Sequence, residues 1–468
     1  MKKNRLLNIL IIFFIVCIGI TSLSFFFIES DYLWHIKVGE YIFHHGVLKK
    51  DVFSWFLNGK YWMSHEWLFE FFIYSLKNLF GNLHILIYCT LCVSLLLSIL
   101  FIYNKRYIYI NILFSIIWIS WFLIIVFFMQ ARPHLISYSF LALTVYFLYD
   151  LYNNENSKKI YFLPILGILW ANVHGGSSNL IYILCFMFTF VGLFNFSFSK
   201  IEAKRLSKKQ LLKSLIVGIV CIFSIIINIH GIKMLVYPYQ NILDSTMLDN
   251  ISEWRSSSLS TPIHYVFYFF SFFVFMVFLL SKKKIRFLDF VLFLFVIYLG
   301  LKSIRFWFYS YIISSFFIFY YVQKRKVDKG TDVGLFILSI FMIVFSITKM
   351  NSIFIPNYSY VLNEKDINMI KKIKPKRLFN MYNFGGDLIY NDIKVFIDGR
   401  ADLYSLYNFD DYLNISNLSK DYVSLINKYD FDYMLVSEEY PINTYLSYSE
   451  EYSLIYHRKH VKLYKKTN

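Results

Sequence analysis

The sequence predicts an α-helical polytopic membrane protein of about eleven transmembrane helices, followed by a small C-terminal α/β extracytoplasmic domain. Three observations carry this. The composition is 57% hydrophobic and 21% aromatic with 16% charged residues, far too apolar for a soluble domain. Apolar runs of membrane-spanning length recur as far as residue 350, and the connectors between them alternate between rich and poor in Lys/Arg. Beyond residue 355 the continuous hydrophobic pattern gives way to short strand-like and helical segments.

The formal charge of +17 would point to nucleic acid in a soluble protein. Here much of it sits in short connectors, where positive charge fixes orientation, so no nucleic-acid partner is expected. The five cysteines lie in apolar stretches without metal-site spacing and read as packing residues.

The chain opens with MKKNR and an apolar run over Leu6–Phe27 that is too long for a signal-peptide core and lacks a small-residue cleavage site, so it reads as an uncleaved first span. The spans are expected at 6–28, 83–103, 107–129, 135–152, 160–175, 179–198, 212–229, 263–281, 286–301, 306–322 and 332–350. The basic connectors, among them NKR at 104–106, SKIEAKRLSKKQ at 199–210, SKKKIR at 281–286 and QKRKVDKG at 323–330, are assigned to the cytoplasm. This gives a multi-pass protein of the plasma (inner) membrane, with a cytoplasmic N-terminus and the C-terminal domain outside. Residues 1–354 form the transmembrane domain, whose first outer loop, 29–82, bears an interfacial helix; 355–468 form the α/β domain. In that domain 377–381, 394–399, 433–436 and 453–464 read as strands, and 363–373 and 418–429 as helices.

The residues capable of chemistry gather at the outer ends of the spans. Asp31 directly follows the first span, and His35 lies one helical turn later on the same face. Downstream, WMSHEWLFEFFIYSL reads as an amphipathic helix in the interface presenting His65 and Glu66, with Trp62 and Trp67 at headgroup depth. Trp34, Trp62 and Trp170 read as belt aromatics. Other outer ends supply Arg132 and His134, Asn172 and His174, His230, Lys302 and Arg305, and the loop containing Glu253. Acids near imidazoles suit proton transfer, and guanidinium groups suit phosphate. Ionisable residues at span ends are costly and tend to mark function, so the set describes a site for a phosphate-bearing lipid and a hydroxylated partner. In the last domain, Asp398, Arg400 and Asp402 follow a strand, where they can either face that site or form a salt-bridged turn, while Gly385-Gly386 permits backbone geometry closed to other residues.

The ordered motifs DYLWHIKVGEYIFHHGVLKKDVFSWFLNGKYWMSHEWLFE, ARPHLISY, LWANVHGG, INIHG, SEW, SIRFW, YNFGGDLIY and KVFIDGRADLY resemble those of a widespread group of bacterial multi-pass proteins, glycosyltransferase-like members of the GT-C superfamily. The resemblance implies transfer of a sugar from a polyprenyl-phosphate carrier to an envelope glycan, lipid or protein acceptor on the outer face, with inversion. It implies that Asp31 is the general base, with Glu66 the second acid and His35 beside them. It further implies that Arg132 and Arg305 bind the carrier phosphate and that His65, His134, His174 and His230 line the cavity. Many transferases of this kind carry paired acids where this chain has Asp31 followed by Tyr32. The carboxylates leave room for Mg²⁺ or Mn²⁺ without a defined ligand set, and no metal-ligand residues are assigned. The alternative is a transporter or flippase of a lipid-linked saccharide, against which stand the absence of paired repeats and the one-sided placement of polar groups. A metal-dependent hydrolase is disfavoured by the lack of HExxH spacing.

Overall fold

The computed structural model describes residues 30–108, 131–243, 250–251, 254–322 and 362–467. Its elements in chain order are α1 (Ser30–His45), α2 (Trp67–Phe80), α3 (His84–Ile108), α4 (His134–Asn153), α5 (Leu163–Val173), α6 (Leu180–Val191), β1 (Phe196–Phe198), β2 (Ile201–Ala203), α7 (Lys208–Ile226), α8 (Lys233–Leu243), α9 (Tyr265–Leu280), β3 (Ile285–Arg286), α10 (Phe287–Lys302), α11 (Trp307–Ser315) and α12 (Ile318–Tyr321). These are followed by α13 (Glu364–Ile373), β4 (Leu378–Asn380), α14 (Gly385–Tyr390), α15 (Ala401–Tyr404), α16 (Phe409–Ser416), α17 (Tyr422–Tyr429), β5 (Tyr433–Ser437), α18 (Pro441–Tyr448), β6 (Tyr452–Arg458) and β7 (Val461–Lys466). The described residues separate into two compact units: one holds 82–108, 131–243, 250–251 and 254–322, the other 30–81 and 362–467.

The described residues are mostly helical, and α4, α7, α9 and α10 fall on expected spans. Among the described residues, Trp67–Asn104, His134–Asn153, Lys208–Ile226 and Pro262–Leu280 are long and apolar enough to cross a membrane, and Lys159–Val173 and Gly175–Val191 are shorter apolar helices. The expected spans 6–28, 107–129 and 332–350 lie wholly or largely outside the described residues. The helices pack α3 on α4, α6 on α7 and α10 on α11. One buried carboxylate between them is satisfied locally: Asp289 of α10 accepts from Tyr149 (2.6 Å), Tyr321 (2.5 Å) and Arg286 (2.7 Å). A carboxylate among apolar helices needs all of these partners, because each lone pair left unmatched is expensive.

The second unit joins two segments that the sequence reading had kept in separate domains. Its sheet runs β4-β5-β7-β6, with β4 and β5 parallel and the remaining pairs antiparallel. The stretch 453–464, which reads as one strand, is a hairpin of β6 and β7 turning at Lys459, whose φ is +50°. The expected strand at 394–399 instead makes a single bridge, Ser54 to Val395. There the first loop docks: Trp55 N donates to Val395 O (3.0 Å) and Val395 N to Phe53 O (3.2 Å). The Trp55 indole donates to Leu378 O (2.9 Å) while its ring stacks on Phe396. A motif expected to extend the sheet with its own neighbours therefore satisfies its backbone with a segment some 340 positions earlier.

A buried ion cluster fastens the same joint. Arg400 gives Nη1 to Asp51 Oδ1 (2.6 Å) and both Nε and Nη2 to Asp398 (2.8 and 2.6 Å). Its guanidinium lies over the Trp62 ring at 4.7 Å. Burial opposes the charge, but Asp398 and Asp51 outweigh it and hold the guanidinium well above its usual range. Asp398 and Arg400, expected among substrate-binding groups, are 0% and 1% exposed and therefore out of a substrate's reach. Removing one member leaves uncompensated buried charge. Arg400→Ala is expected to lower unfolding stability by about 3–5 kcal/mol, read as the midpoint in detergent, and Arg400→Lys to recover little because one ammonium cannot span both carboxylates.

Candidate functional site

The second unit brings Asp31, His35, His65 and Glu66 into one neighbourhood together with Glu70, Gly399 and Asp402. Helix α1 starts at Ser30, which places Asp31 in its first turn, where a carboxylate favours the positive end of the helix. One turn on, Trp34 and His35 are buried, their rings 3.6 Å apart, and α1 packs against α2. Glu66 immediately precedes α2 and Glu70 follows at the four-residue spacing that puts both on one face. The His35 ring lies between them, Nε2 3.7 Å from Glu66 and Nδ1 3.4 Å from Glu70. Glu70, 1% exposed, also accepts from Ser64 Oγ at 2.8 Å. His65 continues the row, with Nε2 3.4 Å from Glu66 and Nδ1 3.6 Å from Asp402 in the first turn of α15. The order Glu70, His35, Glu66, His65, Asp402 alternates carboxylate and imidazole from a buried end to a partly exposed one.

Burial alone would lower the His65 pKa, but Glu66 and Asp402 overcome it and raise it from 6.5 to about 10. His65 is therefore a cation at neutral pH.

Asp31 is half exposed and meets the second segment at Gly399. A Cβ there would fall 1.9 Å from Asp31 Oδ1 and 2.7 Å from Trp34 Nε1, so only glycine lets this backbone approach the carboxylate. The Trp34 indole N–H, buried beside this point, has no hydrogen-bond partner among the described residues. Gly385 also serves close approach rather than unusual φ: its φ is −58°, and a Cβ would lie 2.5 Å from the Asp398 Cα. Sequence reasoning passed over Glu70, Asp51 and Gly399 and gave Trp34 no role beyond the belt. The i,i+4 spacing of Glu66 and Glu70 was the one available signal; nothing local marks Gly399 or Asp51.

The remaining expected residues belong to the first unit. His174 Nδ1 lies 2.8 Å from Ser137 Oγ and 2.9 Å from Ser177 Oγ, and the Trp170 indole donates to both hydroxyls at 3.1 Å. The His134 and His174 rings are 6.5 Å apart. Asn172 ties helix ends together: its amide donates to Ile168 O and Ile227 O, and its Oδ1 accepts from Asn228 at 2.9 Å. Asn228 in turn accepts from the His230 backbone N–H. Arg132 gives its carbonyl to Tyr88 OH at 2.9 Å, and the Arg305 guanidinium stacks over Trp254 at 4.8 Å. Glu253 lies outside the described residues. Among the described residues, no group of three or more His, Cys, Asp or Glu side chains is arranged to hold a metal ion.

Apolar helices of spanning length beside a small sheet unit are those of a membrane protein. Among solved structures the chain is similar to the oligosaccharyltransferase of Archaeoglobus fulgidus. In its apo form the match has 12% identity and a TM-score of 0.53, covering 92% of this chain and 69% of that one. For the same enzyme tethered through a disulfide to an acceptor peptide containing the NVT sequon, the values are 11%, 0.53, 91% and 69%. At this identity the likeness is one of fold. No family model and no curated protein matches the sequence.

Two outcomes test this geometry. His65 carries a folded pKa raised above its ordinary value, so its stabilising contribution is complete below pH 6.5 and is lost as pH rises through about 10. The unfolding midpoint of His65→Gln should fall below that of the wild type at pH 6 to 7, and the gap should close by about pH 10. Gly399→Ala should destabilise the protein by about 1–3 kcal/mol through overpacking. Part of that loss should vanish in an Asp31→Ala background, the remainder belonging to the Trp34 indole, a coupling that a double-mutant cycle reads directly.

Proposed function

We propose that this chain is a membrane glycosyltransferase that moves a sugar from a polyprenyl-phosphate carrier to an envelope glycan, lipid or protein acceptor on the outer face of the plasma membrane. The observation that carries the reading is Asp31: a half-exposed carboxylate seated against the Gly399 backbone, beside the unpartnered indole N–H of Trp34, in a chain with the fold of an oligosaccharyltransferase. What that archaeal enzyme acts on is no property of this chain by itself; its fold supports glycosyl transfer as a class of chemistry.

In this reading the acceptor hydroxyl gives its proton to Asp31 as its oxygen attacks the anomeric carbon. The new carbon–oxygen bond forms as the bond to the carrier phosphate breaks on the opposite face, so configuration inverts and the phosphate leaves as an anion. Asp31, in contact with solvent, then passes its proton to water. Trp34 offers a donor beside the base, suited to a hydroxyl of the incoming acceptor. Carboxylates and imidazoles arranged in alternation fix one another's positions, so the wall behind Asp31 is rigid and polar without an excess of one charge.

Asp31→Asn keeps the shape and removes the base. Transfer of radiolabelled sugar from a polyprenyl-phosphate donor by purified protein should fall by about two to four orders of magnitude, with the unfolding midpoint unchanged. Transfer that persists at the wild-type rate in Asp31→Asn removes the base assignment. A deletion strain with normal glycans and its lipid-linked saccharide trapped on the cytoplasmic leaflet would replace the whole reading with transport.

A further inference from the structure

At the opposite end of α1 from Asp31, the second unit contains a cleft of about 300 Å³ that the transfer chemistry does not use. It lies between the last turns of α1 and the segment after α14, and its lining includes Tyr41, His44, His45, Phe53, Asp392 and Lys394. The rise of a helix puts Tyr41 and His45 about 15–20 Å along the axis from Asp31, too far for a group bound there to be the one that reacts.

The lining has a particular chemistry. Its floor is aromatic: Tyr41 packs 4.7 Å from the His45 ring and 6.2 Å from the buried Phe53, with Ile389 and Ile393 alongside. Its rim carries both signs of charge. Lys37 bridges Glu40 (2.7 Å) and Asp392 (2.6 Å), and Lys394 donates to the Val52 carbonyl. Burial works against the Lys37 charge, but Asp392 and Glu40 prevail and raise its pKa. Two ammonium groups thus face two carboxylates, and two exposed imidazoles add ring nitrogens able to donate or accept.

An anionic or cationic ligand would meet as many repulsive partners as attractive ones here. A peptide side chain of one character would use only half of them. A ligand whose hydroxyls both donate and accept, and whose ring has an apolar face to lay on Tyr41, can use them all. The volume sits at the small end of the range for small-molecule sites, the scale of a mono- or disaccharide.

We propose that this cleft binds a neutral saccharide, and, resting on the transfer reading above, that it holds a distal part of the acceptor chain whose reactive end lies at Asp31. The cleft would then let the enzyme grip an acceptor several units back from the reacting hydroxyl, converting remote binding into positioning.

The test uses the full-length protein in detergent and saturation-transfer NMR with maltotriose, cellotriose and triacetylchitotriose, with trigalacturonate as the charged comparison. At least one neutral trisaccharide should receive saturation, and trigalacturonate should not. Tyr41→Ala and the more exposed His45→Ala should each weaken binding about tenfold, a loss of one ring contact and its hydrogen bond, while retaining the wild-type unfolding midpoint. Asp31→Asn should keep the binding and lose transfer. No saturation of any neutral trisaccharide, stronger binding of trigalacturonate, or binding undiminished from the wild type in both cleft variants overturns the proposal. Transfer without trisaccharide binding removes the cleft and leaves the transferase reading intact; binding by a wild-type protein that transfers no sugar keeps the cleft and removes the acceptor role.

Discussion

A guanidinium sealed from water holds the second unit together. Arg400 satisfies Asp398 on its own turn and Asp51 from a segment 349 positions away, with the Trp62 and Phe53 rings over it. Because none of these charges reaches solvent, each depends on the others, and the first loop and the C-terminal segment keep one register. Everything at the candidate site inherits that register. Gly399 stands between Asp398 and Arg400, so fixing the ion cluster also fixes where the backbone meets Asp31.

The same geometry separates two kinds of charged group that look alike in a sequence. Asp398 and Arg400 are fully buried and mutually paired, which suits a structural lock. Asp31, Glu66, His65 and Asp402 keep partial access to solvent, with the last three showing 12–15% side-chain exposure. A proton acceptor must reach both substrate and water, and a lock must reach neither. Exposure, rather than residue type, divides one from the other.

In the proposed function, helix α1 is the spacer between the reacting carboxylate and the cleft. Its first turn carries Asp31, its middle packs on α2 and α14, and its last turn opens into the saccharide-sized cleft. A rigid helix is a better spacer than a loop for this purpose, since its rise is fixed by hydrogen bonds and its buried face resists rotation. In the first unit, polar span-end residues such as Asn172 and His174 are engaged with carbonyls and hydroxyls of neighbouring helix ends. In lipid, such ends have no water to turn to.

How much could be read from the chain alone follows from the range of the forces involved. Span positions, the basic connectors and the switch to a mixed composition after residue 355 are local: they depend on hydrophobicity and charge summed over about twenty neighbouring residues, and apolar helices such as His134–Asn153 and Tyr265–Leu280 fall on expected spans. The proximity of His35 to Asp31 and of Glu70 to Glu66 is local too, a matter of one helical turn. Only tertiary structure decided that Asp51 would find Arg400, that Val395 would bridge to Ser54 instead of extending a strand, and that Gly399 would leave room for a carboxylate from the first loop. Those pairings are between groups hundreds of positions apart, and no periodicity encodes them. They exist because buried charges and backbone amides must be matched by whatever partner the folded chain brings near.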